Sequence, residues 1–180
     1  GMIKAFPDKL SRVENEPIII RKNKKVDKVA LISGGGSGHE PAHAGFVGYG
    51  MLDAAVCGEI FTSPGADKVY NAIKAVDGGK GVLLIIKNYS GDIMNFDMAS
   101  EMLEMDDIKT LSITGADDVN SNINPDTRRG VAGIYFMYKA AGAKADQNGT
   151  LEEVYAAANL AKQNTRTVGF ALTPCIVPEI

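Results

Sequence analysis

Two short segments are apolar at nearly every position: 28–33, KVALIS, which runs into a cluster of glycines, and 81–87, GVLLIIK. Runs of this length, rich in β-branched residues, predict strands buried on both faces, because a strand with one wet face would alternate. Elsewhere the apolar positions recur at three and four, which predicts helices over 66–76 behind Pro64, over 92–105, over 128–145 and over 151–163. Thr150 before the last of these, with Glu153 at the third helical position, has the spacing of a reciprocal helix cap. Residues 108–114 and 167–172 are further strand candidates, and Gly1 to Phe6 reads as the end of a helix. Strand alternating with helix predicts an α/β fold: a layered sheet of mainly parallel strands with helices on both faces. No internal repeat or Ser/Pro/Gly linker interrupts residues 1–180, so a single domain is expected.

Charge narrows the partners. A net charge of −3 leaves no basic excess to neutralise phosphates, so neither nucleic acid nor an anionic membrane is expected as a direct partner. Neither a signal-peptide core nor a membrane-length apolar run occurs, which predicts a cytoplasmic protein. The two cysteines, Cys57 and Cys175, lie far apart and outside any CxxC pattern, and are expected to be buried thiols in a reducing compartment.

The stretch GGGSGHEPAH, Gly34 to His43, admits two kinds of site. His39-Glu40-x-x-His43 has the letters of a zinc protease, whose two histidines must share one helical face. Pro41 fits the first turn of a helix but not its interior, and the glycines before it place His39 in a loop, off that register. No metal site is therefore expected. A Walker loop would need Gly-Lys-Ser/Thr after the glycines, and a dinucleotide fingerprint or a nucleophile elbow would need glycine where His39 stands. What is left is a glycine-rich loop after a strand, open enough for backbone amides to approach a ligand oxygen, carrying one imidazole that can move a proton.

A second loop, Lys87-Asn88-Tyr89-Ser90-Gly91-Asp92, leaves the most apolar strand. It offers a cation for a ligand oxygen and a carboxylate able to take a hydroxyl proton, although Asp92 could also be simply the cap of the helix starting near Ile93. Both loops leave the carboxyl ends of central strands, the edge at which open α/β sheets bind ligands.

Four motifs in order, SGGGSGHEP at 33–41, GEIFTSP at 58–64, GVLLIIKNYSGDIMNF at 81–96 and RRGVAG at 128–133, resemble the dihydroxyacetone-binding K subunit of dihydroxyacetone kinases over most of the chain. The resemblance implies a domain that binds dihydroxyacetone through Gly36, Ser37, Gly38, His39, Lys87 and Asp92. His39 and Asp92 would handle its protons, Asp92 as the base for the hydroxyl that attacks phosphorus. It also implies a phosphoryl donor, ADP or ATP with magnesium, on a separate L subunit recharged by a phosphotransferase system in many bacteria. No cofactor is expected in this chain, and a homodimer is implied.

Two features depart from that family. Its members hold the ketone as a hemiaminal on a second histidine in a GIHGEPG-like motif that this sequence lacks, so the chain is expected to be the amino-terminal part of a longer subunit and, alone, inactive. The segment TGADDVNSNIN, 114–124, replaces a more acidic DDDVA-like run and reads either as a drifting surface loop or as the mark of a paralogue. Such a paralogue binds dihydroxyacetone without catalysis and acts as coactivator of a transcription regulator. Enzyme subunit and ligand-sensing regulator therefore stand as the two readings.

Overall fold

The computed structural model describes residues 1–23, 26–174 and 176. Six strands form one sheet in the order β1-β2-β4-β3-β5-β6. They span Leu10–Arg12 (β1), Ile18–Arg21 (β2), Ala30–Ser37 (β3), Ala54–Ile60 (β4), Val82–Lys87 (β5) and Thr110–Gly115 (β6). β4, β3, β5 and β6 are parallel, while β1 and β2 extend the sheet antiparallel from β4. A four-residue helix, α1 (Met2–Ala5), precedes β1 where the sequence suggests a helix end.

The helices α2 (Ala66–Val76) and α3 (Ser90–Met102) pack on one face of the sheet, and α4 (Ile134–Asp146) and α5 (Leu151–Asn164) on the other. Alternation along β5 feeds both layers. Leu83 and Ile85 meet Ile134, Met137 and Tyr138, whereas Leu84 and Ile86 meet Ile73 and Phe96. All six residues of β5 are buried, as its continuous apolar run requires. Thr150 caps α5 reciprocally with Glu153. α4 sends Ile134, Met137, Tyr138 and Ala141 into the core, while Phe136 is exposed.

Several expectations need correction. Glycines 34–36 are not a loop but the end of β3, paired to β4 through Gly36. Gly36 approaches the backbone of Phe61 and Thr62 so closely that a Cβ would lie 2.5 Å from the Thr62 nitrogen, so a strand composition that propensity disfavours is imposed by close packing of two chain segments. The fourth helix starts at Ile134, not 128, because 128–133 run as a loop across the ends of β5 and β6. Residues 167–172 are not a strand; Thr167 forms only an isolated bridge to Asp118. Cys57 is half-buried rather than buried, and Cys175 lies outside the described residues.

Strands β1, β2 and β4 were not expected from the pattern. They are short or alanine-rich, and β2 is tied in by a buried charge cluster: Asp53 accepts from Arg21 at 3.0 Å, from Lys28 at 2.6 Å and from the Leu31 amide at 2.9 Å. Such a cluster is costly to break, because each partner would leave a charge unpaired in the core.

Candidate functional site

β3 leads to β4 on the α4 face, whereas β5 leads to β6 through α3 on the opposite face. The chain thus diverges from the carboxyl ends of β3 and β5, leaving a crevice there. A cavity of about 560 Å³ fills it, lined by Gly36, Gly38, His39, Phe61, Ser63, Lys87, Tyr89 and Asp92. A second, more apolar cavity of about 540 Å³ shares His39, Lys87 and Tyr89 and is walled by Pro41, Phe46, Val131 and Tyr135.

The turn after β3 begins at Gly38, whose φ of +98° and contact with the Phe61 ring both suit a residue without Cβ. His39 Nδ1 lies 2.8 Å from the Gly36 carbonyl oxygen. A carbonyl only accepts, so Nδ1 carries a proton, and in the neutral ring the lone pair is then on Nε2. The imidazole meets Phe61 edge-on, with ring centroids 5.4 Å apart. Ser37, also expected to touch the substrate, directs its hydroxyl to the Gly58 carbonyl at 2.6 Å and does not line the cavity.

No helix spans 39–43; Pro41 follows a cis peptide bond in a turn, and the 3-10 turn Ala44–Phe46 comes only after His43. His43 is buried on the α4 side, with Nδ1 2.6 Å from the Tyr138 hydroxyl. The two histidines are thus divided between the cavity rim and the core, and no metal-binding group of three His, Cys, Asp or Glu occurs among the described residues.

On the other wall, Lys87 ends β5 with its ammonium 5.4 Å from the centre of the Tyr89 ring. Burial pushes the Lys87 pKa down, against the pull of Asp92 and Asp117. Asp92 is in the first turn of α3 and is not its N-cap, a position held by Tyr89. Instead of capping, its carboxylate accepts from the Ser63 hydroxyl. Burial raises the Asp92 pKa, opposed by Ser63, Lys87 and His39, so the group is moved toward the range in which a carboxylate is an effective base.

Sequence reasoning overlooked Ser63, although it stands in the GEIFTSP motif. The segment 114–124 is anchored at Asp117 and Asp118, while 119–124 lie mostly at the surface. Asp117 is buried and accepts from the Val131 and Gly133 amides at 2.9 and 2.8 Å and from the Thr167 hydroxyl at 2.6 Å. Asp118 holds Arg129 at 2.9 Å. These carboxylates shape the 128–133 loop, which Asn88 also ties down through the Asp126 and Arg128 carbonyls.

Comparison with known proteins places this geometry in a family. The Dak1 domain model matches residues 1–180. The dihydroxyacetone-binding subunit DhaK of a phosphotransferase-system-dependent dihydroxyacetone kinase from Lactococcus lactis is 53% identical over the whole chain, which spans 55% of that relative. The crystal structure of the dihydroxyacetone kinase of C. freundii superposes with a TM-score of 0.91 at 43% identity, covering 96% of this chain and 32% of that one. A dihydroxyacetone kinase operon co-activator, Dha-DhaQ, superposes with a TM-score of 0.82 at 38% identity, over 89% of this chain and 50% of its own. The chain spans about half the length of the curated relatives it matches, and with a family model covering all of its residues it belongs to the Dak1 family.

Proposed function

We infer that this chain binds dihydroxyacetone and presents its hydroxyl for phosphorylation as part of a dihydroxyacetone kinase. The observation that carries the reading is the gathering of His39, Lys87 and Asp92 in the lining of one cavity. In the reaction, Asp92 takes the hydroxyl proton and the freed oxygen forms the new bond to phosphorus. The bond from that phosphorus to the leaving nucleotide oxygen breaks. His39 hydrogen-bonds the substrate through Nε2 and exchanges its protons, while Lys87 holds a substrate oxygen by charge. Gly36 and Gly38 contribute backbone to the cavity wall, and Ser37 supports this turn through Gly58.

The donor, ADP or ATP with magnesium, belongs on a separate L subunit in this reading, because residues 34–43 have neither the Lys-Ser/Thr nor the glycine spacing of a nucleotide loop. The cavity is open and far larger than a three-carbon ketone needs, which suits a site completed by further chain and by the donor subunit. The histidine that forms the hemiaminal in the family would come from outside this chain, and a homodimer is the assembly proposed. No helix among the described residues is long and apolar enough to cross a membrane, and the cytoplasm is the proposed location.

A second reading is favoured by the similarity to the Dha-DhaQ co-activator: a dihydroxyacetone-sensing regulator with the same pocket. The deciding experiment is phosphorylation of dihydroxyacetone by the full-length protein with an L subunit of proven activity, alongside calorimetric binding. Turnover that is lost in Asp92→Asn while binding persists supports the kinase. Binding without turnover in the wild type supports the regulator, and absence of binding rejects both.

A further inference from the structure

His43 takes no part in the mechanism above, yet its surroundings are not those of an idle core residue. It is 4% exposed, and its Nε2 has no hydrogen-bond partner among the described residues. Nδ1 lies 2.6 Å from the Tyr138 hydroxyl and 3.3 Å from Ser33 Oγ, and the two hydroxyls are 2.7 Å apart. One arrangement uses both hydroxyl protons within this group: Ser33 donates to Tyr138, and Tyr138 donates to Nδ1. The reverse arrangement, with Nδ1–H donating to Tyr138 and Tyr138 to Ser33, leaves the Ser33 proton to find another acceptor. Each arrangement leaves one buried donor over, the Nε2–H in the first and the Ser33 hydroxyl in the second. Only the first turns that donor toward the Asp92 carboxylate, so the first is favoured and the ring proton is on Nε2.

That Nε2–H is presented at Gly35. A Cβ on Gly35 would lie 3.0 Å from His43 Nε2 and 3.8 Å from Asp92 Oδ2, so the two groups border the same notch, kept open by a residue without a side chain. Asp92 Oδ1 is occupied by Ser63, which leaves Oδ2 as the oxygen turned toward this notch.

We propose that His43 is a positioning residue for Asp92, held by Tyr138 and Ser33 so that its Nε2–H supports the ionised carboxylate across the notch at Gly35. Its charge state suits the role, since burial, with Lys87 and His39 adding, brings its pKa down to about 3 and keeps the ring neutral. The other titratable groups around Asp92 are Lys87 at the end of β5, His39 in the turn after β3 and Tyr89 before α3, with Tyr138 reaching in from α4. The catalytic consequence rests on Asp92 being the base as proposed above, but the titration of Asp92 does not.

The test is made on the full-length protein. Nitrogen NMR of the wild type should show His43 protonated at Nε2. Carbon-detected titration should find the Asp92 pKa about one unit higher in His43→Leu, which removes the donor, and near the wild-type value in His43→Gln, whose amide replaces it. The acid limb of turnover should move with it. A proton on Nδ1 would overturn the proposal whether or not either variant folds. So would an Asp92 pKa equal in wild type and His43→Leu, the result expected of a purely structural histidine. Absence of kinase turnover in the wild type would count against the proposed function alone, since tautomer and carboxyl titration are read without it.

Discussion

Ser63, in the segment leaving β4, donates its hydroxyl to Oδ1 of Asp92 in the first turn of α3, joining two parts of the site that are 29 residues apart in the chain. Asp92 is thereby subject to opposing influences. Burial favours its neutral form, while Ser63, Lys87 and His39 favour the ionised one. This balance leaves a net upward shift, useful to a base that must accept a proton and release it again.

Replacing Ser63 with alanine removes one of the groups that lower the Asp92 pKa and leaves burial in place. The folded-state pKa should therefore rise further, and the acid limb of turnover should move to higher pH. Turnover at acid pH should fall about tenfold for each unit of that movement, with little change on the alkaline side of the limb. A pH–rate profile of Ser63→Ala against wild type checks this, and an unmoved acid limb would dissociate Ser63 from the titration of Asp92.

Much of this site was legible in the sequence because its parts follow strands that the apolar pattern marks clearly. β3 and β5 are buried on both faces, so KVALIS and GVLLIIK identified them, and with them the loops carrying His39, Lys87 and Asp92. What could not be read was pairing between distant segments. Gly36 is in a strand because Phe61 and Thr62 lie against it, and Ser63 matters because α3 brings Asp92 to it; neither fact has a local periodicity. The regularity of 128–133 suggested helix, but Asp117 takes the Val131 and Gly133 amides, and Gly130 lies where a Cβ would meet the Gly115 carbonyl oxygen at 2.3 Å. Tertiary contacts override helix propensity there. The antiparallel edge was missed for a similar reason, since β1 and β2 have only three and four residues.

The same reasoning makes Asp117 a support of the site and not a catalytic carboxylate. Its two oxygens satisfy two amides and the Thr167 hydroxyl, and the 128–133 loop that it fixes supplies Val131 to the wall of the apolar cavity. Asp117→Asn retains one acceptor and replaces the other with a donor facing donors. It should cost about 1–3 kcal/mol of unfolding free energy, measured by urea denaturation. Dihydroxyacetone binding should weaken through a looser wall, whereas the acid limb of turnover should stay in place, because Asp117 is not among the groups that act on the titration of Asp92. A displaced acid limb would contradict this supporting role.

His43 gives the stability of the protein its own pH dependence. Burial depresses its folded-state pKa to about 3, below the ordinary value of 6.5, so the folded state binds this proton less readily than the unfolded chain does. The stability associated with the neutral ring is present above pH 6.5 and is lost as pH falls from there toward 3, since the unfolded chain takes up a proton that the core resists. Through the middle of that window the linkage is close to one proton, equivalent to about 1.4 kcal/mol per pH unit. Comparing wild type with a variant at this one position over the interval from about pH 6 to 5 cancels what the other titrating groups contribute to both, the upward-shifted Asp92 included. Denaturation of wild type and His43→Gln across this interval should give a slope lower by about one proton in the variant, whatever the variant costs in stability at pH 7. Equal slopes would mean that His43 is protonated as readily in the folded core as in the unfolded chain. Nδ1 would then not be held as an acceptor by the Tyr138 hydroxyl.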